Sequence, residues 1–179
     1  MSDTARPATL ADLKMLAKSL NDNGVDYLLI GGYALFAHGY ERATTDIDLL
    51  VPATIEVGEK IKKALLVLPE KVAAEIDVSW FQQGGTIRVG DEIVVDLLFN
   101  AAGQTYDSLL KYQEIIDVDG MQIRTVSLEA LLLTKQTVRE KDVQDRLILE
   151  RAIQYMNEHP NICPSCGMAP CICQSPHRG

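Results

Sequence analysis

The sequence predicts an α/β (α+β) domain, a small mixed β-sheet with flanking helices. Three observations predict it. Short apolar runs bounded by turn residues, such as Tyr27-Leu-Leu-Ile30, have the length of buried strands. Segments with apolar residues at helical spacing come between them along the chain. Third, 179 residues with 47% hydrophobic and 23% charged suit one globular domain and exclude disorder or a collagen-like repeat.

The elements follow in order. Thr9-Leu-Ala-Asp12 reads as a capping box, and Leu10, Leu13, Leu16, Ala17 and Leu20 form a helical stripe that Asn23-Gly24 ends. Tyr27 to Ile30 is a strand, Gly31-Gly32 breaks it, and Tyr33 to His38 is a short helix. Asp46 to Val51 is the second strand, ended by Pro52. Thr54 caps a helix in which Val57, Ile61, Ala64, Leu65 and Leu68 share a face. The pattern then turns to period two, giving strand candidates at Ile76 to Phe81, Thr86 to Val89 and Glu92 to Phe99. A short helix around Tyr106 to Tyr112 leads to a hairpin, Ile115 to Val118 and Met121 to Val126, turned by Asp119-Gly120. Ser127 caps a helix reaching about Thr137, and a last helix covers about Asp142 to Asn157. Residues 1–160 are therefore expected to form the domain, and 161–179 a Cys-rich tail without periodicity.

Charge and cysteine usage narrow the function. Seventeen Lys+Arg against 25 Asp+Glu give a net charge of −8. That argues against a dedicated DNA-binding or membrane-surface protein, although a local basic strip can hold RNA. No apolar run approaches the roughly 18 residues needed to span a bilayer. Met1-Ser-Asp-Thr-Ala-Arg-Pro7 lacks the basic-then-apolar order of a secretory signal, so a cytoplasmic location is expected. All four cysteines fall in the tail, so the domain is not a disulfide scaffold. Cys163, Cys166, Cys171 and Cys173 supply four thiolates, the ligand number of a structural zinc site. The loop between the pairs is shorter than in most zinc ribbons, and an exposed Cys-rich tail is the alternative.

Familiar catalytic motifs are missing. Gly31-Gly32-Tyr33 is neither a dinucleotide fingerprint nor a P-loop, and H-E-x-x-H, G-x-S-x-G and the zinc deaminase signature do not occur. Asp46-Ile-Asp48 remains. Alternate strand residues share a face, so these carboxylates stand roughly 7 Å apart while Ile47 enters the core. Like charges that close repel unless a cation or proton lies between them, and hard oxygen ligands suit Mg²⁺. Asp96 is a lone acid in the apolar run Ile93-Val-Val-Asp96-Leu-Leu-Phe99, where an uncompensated charge is costly. If its strand lies beside the first, three carboxylates meet and can hold ions for displacement at a phosphate. The plain alternative is a solvated strand end. Gly31-Gly32, between an apolar strand and a helix, lets backbone approach a phosphate, but such turns also use Gly for geometry alone.

Ile30-Gly31-Gly32, a thirteen-residue spacer, Asp46-Ile-Asp48 and Asp96 together resemble the nucleotidyltransferase superfamily with the DNA polymerase β-like fold. The closer likeness is to AbiEii-type and related minimal nucleotidyltransferases, many of them toxins of toxin–antitoxin or abortive-infection pairs. It is carried by Gly-Gly-Tyr-Ala-Leu35, His38-Gly-Tyr-Glu-Arg42-Ala-Thr-Thr45, and Val126 to Leu131 followed by Lys135, Arg139, Lys141, Asp142 and Asp145. Gln136 to Val138 and the cysteine tail depart from the pattern.

The resemblance implies transfer of a nucleoside monophosphate from an NTP to a hydroxyl, with pyrophosphate released. Asp46 and Asp48 would hold Mg²⁺, and Asp96 would complete a second ion's shell and help deprotonate the acceptor. Gly31, Gly32, Arg42 and Thr45 would contact the nucleotide phosphates, and Lys135 would reach the triphosphate. The acceptor implied is tRNA or a protein, with a cognate antitoxin as a further partner. Two alternatives stay open: a small-molecule enzyme of the aminoglycoside-modifying kind, and a non-catalytic binding module such as an antitoxin. Several residues also have plain structural readings. Lys135, Arg139 and Lys141 suit a solvated helix end. Arg42 suits a surface ion pair, His38 packing at a helix end, Asp142 and Asp145 a helix cap, and Trp80 and Phe81 the core.

Overall fold

Four strands form a mixed sheet in the order β1-β2-β4-β3, from β1 (Leu28–Ile30), β2 (Ile47–Leu50), β3 (Thr86–Gly90) and β4 (Val94–Leu98). The computed structural model describes residues 5–41 and 43–160. Arg42 and the four tail cysteines, Cys163, Cys166, Cys171 and Cys173, lie outside the described residues, and with them the nucleotide-contact and zinc expectations placed there. β2 runs antiparallel to β1 and parallel to β4, and β3 closes the sheet antiparallel to β4. All three residues of β1 are buried, as their unbroken apolar run requires.

Helix α1 (Leu10–Asp22) begins at the expected capping box: Thr9 accepts from the Asp12 amide, and the Asp12 carboxylate accepts from Thr9. Its buried side, Leu13, Leu16, Ala17 and Leu20, is the stripe read from the sequence. Helix α2 (Gly31–Ala37) follows β1 without a connecting loop, and α3 (Ile55–Leu65) is capped by Thr54. Helix α4 (Tyr106–Leu109) leads to the hairpin of β5 (Gln113–Val118) and β6 (Met121–Val126). Asp119 and Gly120 both take positive φ, the geometry of a two-residue type I′ turn. Thr125, fully buried on β6, donates from Oγ1 to the Leu29 carbonyl at 2.7 Å and ties the hairpin to the main sheet.

The remaining helices are α5 (Leu128–Leu133) and α6 (Glu140–Glu158). Two expectations fail near them and before them. The α5 helix stops at Leu133, short of Thr137, so Lys135 lies beyond its end. Residues 76–81 do not form a strand; 3-10 turns occupy Val72–Glu75 and Val78–Gln82. The turn at Val78 is capped by Asp77, whose carboxylate accepts from the Ser79 amide. Phe81 then points into the core against Gly58 of α3, while Trp80 is 42% exposed and is not a core residue. Among the described residues no helix is long and apolar enough to cross a membrane.

Candidate active site

The parallel pairing of β2 with β4 brings the acids together. Its register sets Asp48 opposite Asp96, and the antiparallel neighbours extend that row, with Ile30 opposite Asp48 and Arg88 opposite Asp96. Residues in register share a face, so Ile30, Asp48, Asp96 and Arg88 lie side by side across four strands. Asp46 precedes β2 by one residue, and Ile47 between the two acids is fully buried. The three carboxylates line one cavity of about 350 Å³ together with Gly31, Gly32 and Thr44.

The glycines make room there. Gly31 has φ +73, and a Cβ on it would fall 2.2 Å from the Asp48 Oδ2. A Cβ on Gly32 would fall 2.7 Å from the Thr44 Cβ. No side chain fits at either position unless its neighbour moves. Thr44, which the sequence reading passed over, lines the cavity, whereas Thr45 is exposed and outside its lining. Thr45 instead offers its backbone carbonyl to the Ala8 amide.

Arg88 sits among the acids. Its Nη1 donates to both Asp96 oxygens, at 2.9 and 3.2 Å, and its Nη2 donates to the Asp46 Oδ2 at 3.0 Å. It does not bond Asp48. Burial, the Asp96 charge and, less, the Asp46 charge push the Asp48 carboxyl up to about 6, against the pull of Lys135 and Lys141. Burial and Asp46 also push Asp96 up, although Arg88 opposes the shift. Among the described residues no three His, Cys, Asp or Glu side chains already converge as a metal-ligand set. The donor chemistry nevertheless fits a hard cation: three carboxylates share one face, and a guanidinium already bridges two of them.

The loop between α5 and α6 and the start of α6 also line the cavity. Arg146 holds that loop by donating from Nη1 to the Lys135 and Thr137 carbonyls at 2.6 and 2.7 Å. Lys135 lines the cavity, but its ammonium lies 3.2 Å from Asp142 Oδ1 and 3.0 Å from Asp145 Oδ2. Asp142 and Asp145 are thus buried partners of Lys135 and not merely a solvated helix cap. Burial raises the Asp142 carboxyl, but the Thr137 hydroxyl and the Lys135 charge outweigh it and hold the group below its usual range. Arg139 and Lys141 are exposed and line the cavity too. His38 lies apart from these groups, its Nε2 2.8 Å from the Val126 carbonyl, which agrees with a packing role.

Three carboxylates packed beside a glycine turn, in a cavity that Arg139 and Lys141 also line, suit phosphate chemistry. The chain belongs to the family described as nucleotidyl transferase of unknown function (DUF2204), whose model matches residues 9–162. That match supports the nucleotidyltransferase superfamily and does not single out the AbiEii-type branch. Among solved structures, the chain is similar to a protein from Thermotoga maritima assigned to the nucleotidyltransferases. The two share 19% identity and a TM-score of 0.48, over 84% of this chain and 90% of the other. It is also similar to an antigenic nucleotidyltransferase-like protein from Paracoccidioides brasiliensis, with 19% identity and a TM-score of 0.47, over 86% of this chain and 91% of that one. No curated protein matches the chain.

Proposed function

We propose that the protein transfers a nucleoside monophosphate from an NTP to a hydroxyl on a tRNA or protein acceptor. The observation that carries the reading is the register that sets Asp48 beside Asp96, above a glycine whose side chain would collide with Asp48. In this reaction the acceptor oxygen bonds to the α-phosphorus, the bond to the pyrophosphate oxygen breaks, and the hydroxyl proton passes to a carboxylate. Asp96 is the candidate acceptor of that proton, since burial already favours its protonated form. Asp46, Asp48 and Asp96 would hold Mg²⁺, which when bound would offset the charge of the triphosphate and polarise the phosphoryl group. Gly31 and Gly32 line the cavity with backbone alone, which lets a phosphate approach closely. Arg139 and Lys141 offer exposed positive charge to the triphosphate, and Lys135 contributes there only as far as Asp142 and Asp145 leave its charge available.

Within this reading the acceptor class is macromolecular, and a toxin role with a cognate antitoxin is the biological form that the AbiEii-type likeness suggests. Zinc on Cys163, Cys166, Cys171 and Cys173 is a separate proposal, supported by ligand number alone; metal content below about 0.2 equivalents per chain, in protein purified without chelator, would retire it. The test of the function is incubation with each α-labelled NTP, Mg²⁺ and either total RNA, a protein lysate or an aminoglycoside. Label in RNA or protein supports the reading. Label only in the aminoglycoside moves the acceptor to the small-molecule class, and label in none of them overturns the reading.

A further inference from the structure

We infer that Arg88 is a built-in counter-ion of the carboxylate site, which a divalent cation must displace to bind between Asp46 and Asp96. The inference rests on the reading of these carboxylates as a cation site.

Three observations carry it. Arg88 reaches the acids because of backbone register: it stands directly opposite Asp96 on the neighbouring strand, so its side chain crosses to the acids' face. Its contacts divide between the acids: Nη1 donates to both Asp96 oxygens and Nη2 to Asp46. Third, the guanidinium bridges two of the three acids, and the bridged pair keep oxygens turned toward Arg88 that a metal ion would need. One positive charge among three carboxylates leaves the cluster short of neutral, so a doubly charged ion gains more there than Arg88 does.

Displacement is also inexpensive. β3 is an edge strand of the sheet, and the Arg88 side chain is 58% exposed. Its charge can therefore return to water without crossing the core, and ion pairs this exposed are individually weak. Lys135 is the contrasting case: its side chain is only 13% exposed and its charge faces two buried acids. Arg88 is thus a positioning residue. It keeps Asp46 and Asp96 ordered and compensated before the cation arrives, and it lowers the affinity of the nucleotide-free protein for that cation.

The experiment titrates Mn²⁺ into nucleotide-free wild type, Arg88→Gln and Arg88→Lys, following free Mn²⁺ by electron paramagnetic resonance, with circular dichroism and thermal melts run alongside. Arg88→Gln removes the competing charge and should bind Mn²⁺ at least about fivefold more tightly, equal to about 1 kcal/mol. Arg88→Lys keeps the charge and should stay within about twofold of wild type. In chelator, Arg88→Gln should melt below wild type, and added Mn²⁺ should raise its melting temperature more than that of wild type. Mn²⁺ binding in a folded Arg88→Gln that is no tighter than in wild type overturns the inference and leaves the cation site standing. If neither wild type nor Arg88→Gln binds Mn²⁺, with or without NTP, both the inference and the cation-site reading fail.

Discussion

The missing side chain of Gly31 is the space that the Asp48 carboxylate occupies: a Cβ on Gly31 would lie 2.2 Å from Asp48 Oδ2. At φ +73 an alanine is also strained, whatever the space around it. Gly31→Ala should therefore destabilise the fold by about 2–4 kcal/mol and move Asp48 off the row it shares with Asp96. Urea denaturation measures the first effect and Mn²⁺ titration the second. A loss of less than about 0.5 kcal/mol would show that the close approach has no structural weight.

Asp48 should make the metal-free protein less stable at alkaline than at acid pH. Its carboxyl rises from 3.8 to about 6 on folding, so between those values the native state keeps a proton that the unfolded chain has released. Stability falls as pH rises through that window, and the loss is complete above it. Asp48→Asn cannot ionise. In chelator it should be more stable than wild type by about 2 kcal/mol at pH 8, with the gain shrinking toward pH 4. A gain of equal size at both values would assign it to packing and not to charge.

Lys135 and Lys141 line the same cavity and should respond differently to removal. Lys135→Ala removes the ammonium that both Asp142 and Asp145 contact inside the protein, which should cost about 2–4 kcal/mol of stability. Lys141 is exposed, so Lys141→Ala should change stability by less than about 0.5 kcal/mol. If Lys141 faces the triphosphate, the same change should weaken NTP binding by about 1–2 kcal/mol. Thermal melts and NTP titrations of both variants separate these effects. A stable Lys135→Ala with a selective loss of NTP binding would return the triphosphate role to Lys135.

Much of this site is legible locally. Asp46-x-Asp48 and the lone acid at Asp96 stand out because a strand's two-residue period puts alternate residues on one face, and because acid is costly inside an apolar run. Gly31-Gly32 marks the turn for a similar reason. The pairing that makes these residues one site is not local, since parallel strands meet only through a long crossover. Arg88 lies outside that crossover, since β3 and β4 are an adjacent antiparallel pair; in Thr86–Gly90 it reads as an ordinary outward residue, and only the exact register with Asp96 shows what it faces. The Lys135 partners on α6 read locally as a helix cap, because their burial depends on how α6 packs on α5. The false strand at 76–81 has a local cause. Apolar residues at alternate positions suggest a strand, but Asp77 caps a 3-10 turn and leaves Trp80 outside.

The central claim is that Asp46, Asp48 and Asp96 act as one centre for nucleotidyl transfer, and label transfer from an α-labelled NTP tests it most directly. Wild type should be compared with Asp48→Asn, Asp96→Asn and the double variant, each shown to be folded. Each single change should abolish transfer, with Asp96→Asn keeping Mg²⁺·NTP binding better than Asp48→Asn. Groups that act as a unit are non-additive, so the double variant should be little worse than either single one. Full transfer by either single variant, or losses that simply add in the double, would contradict the account.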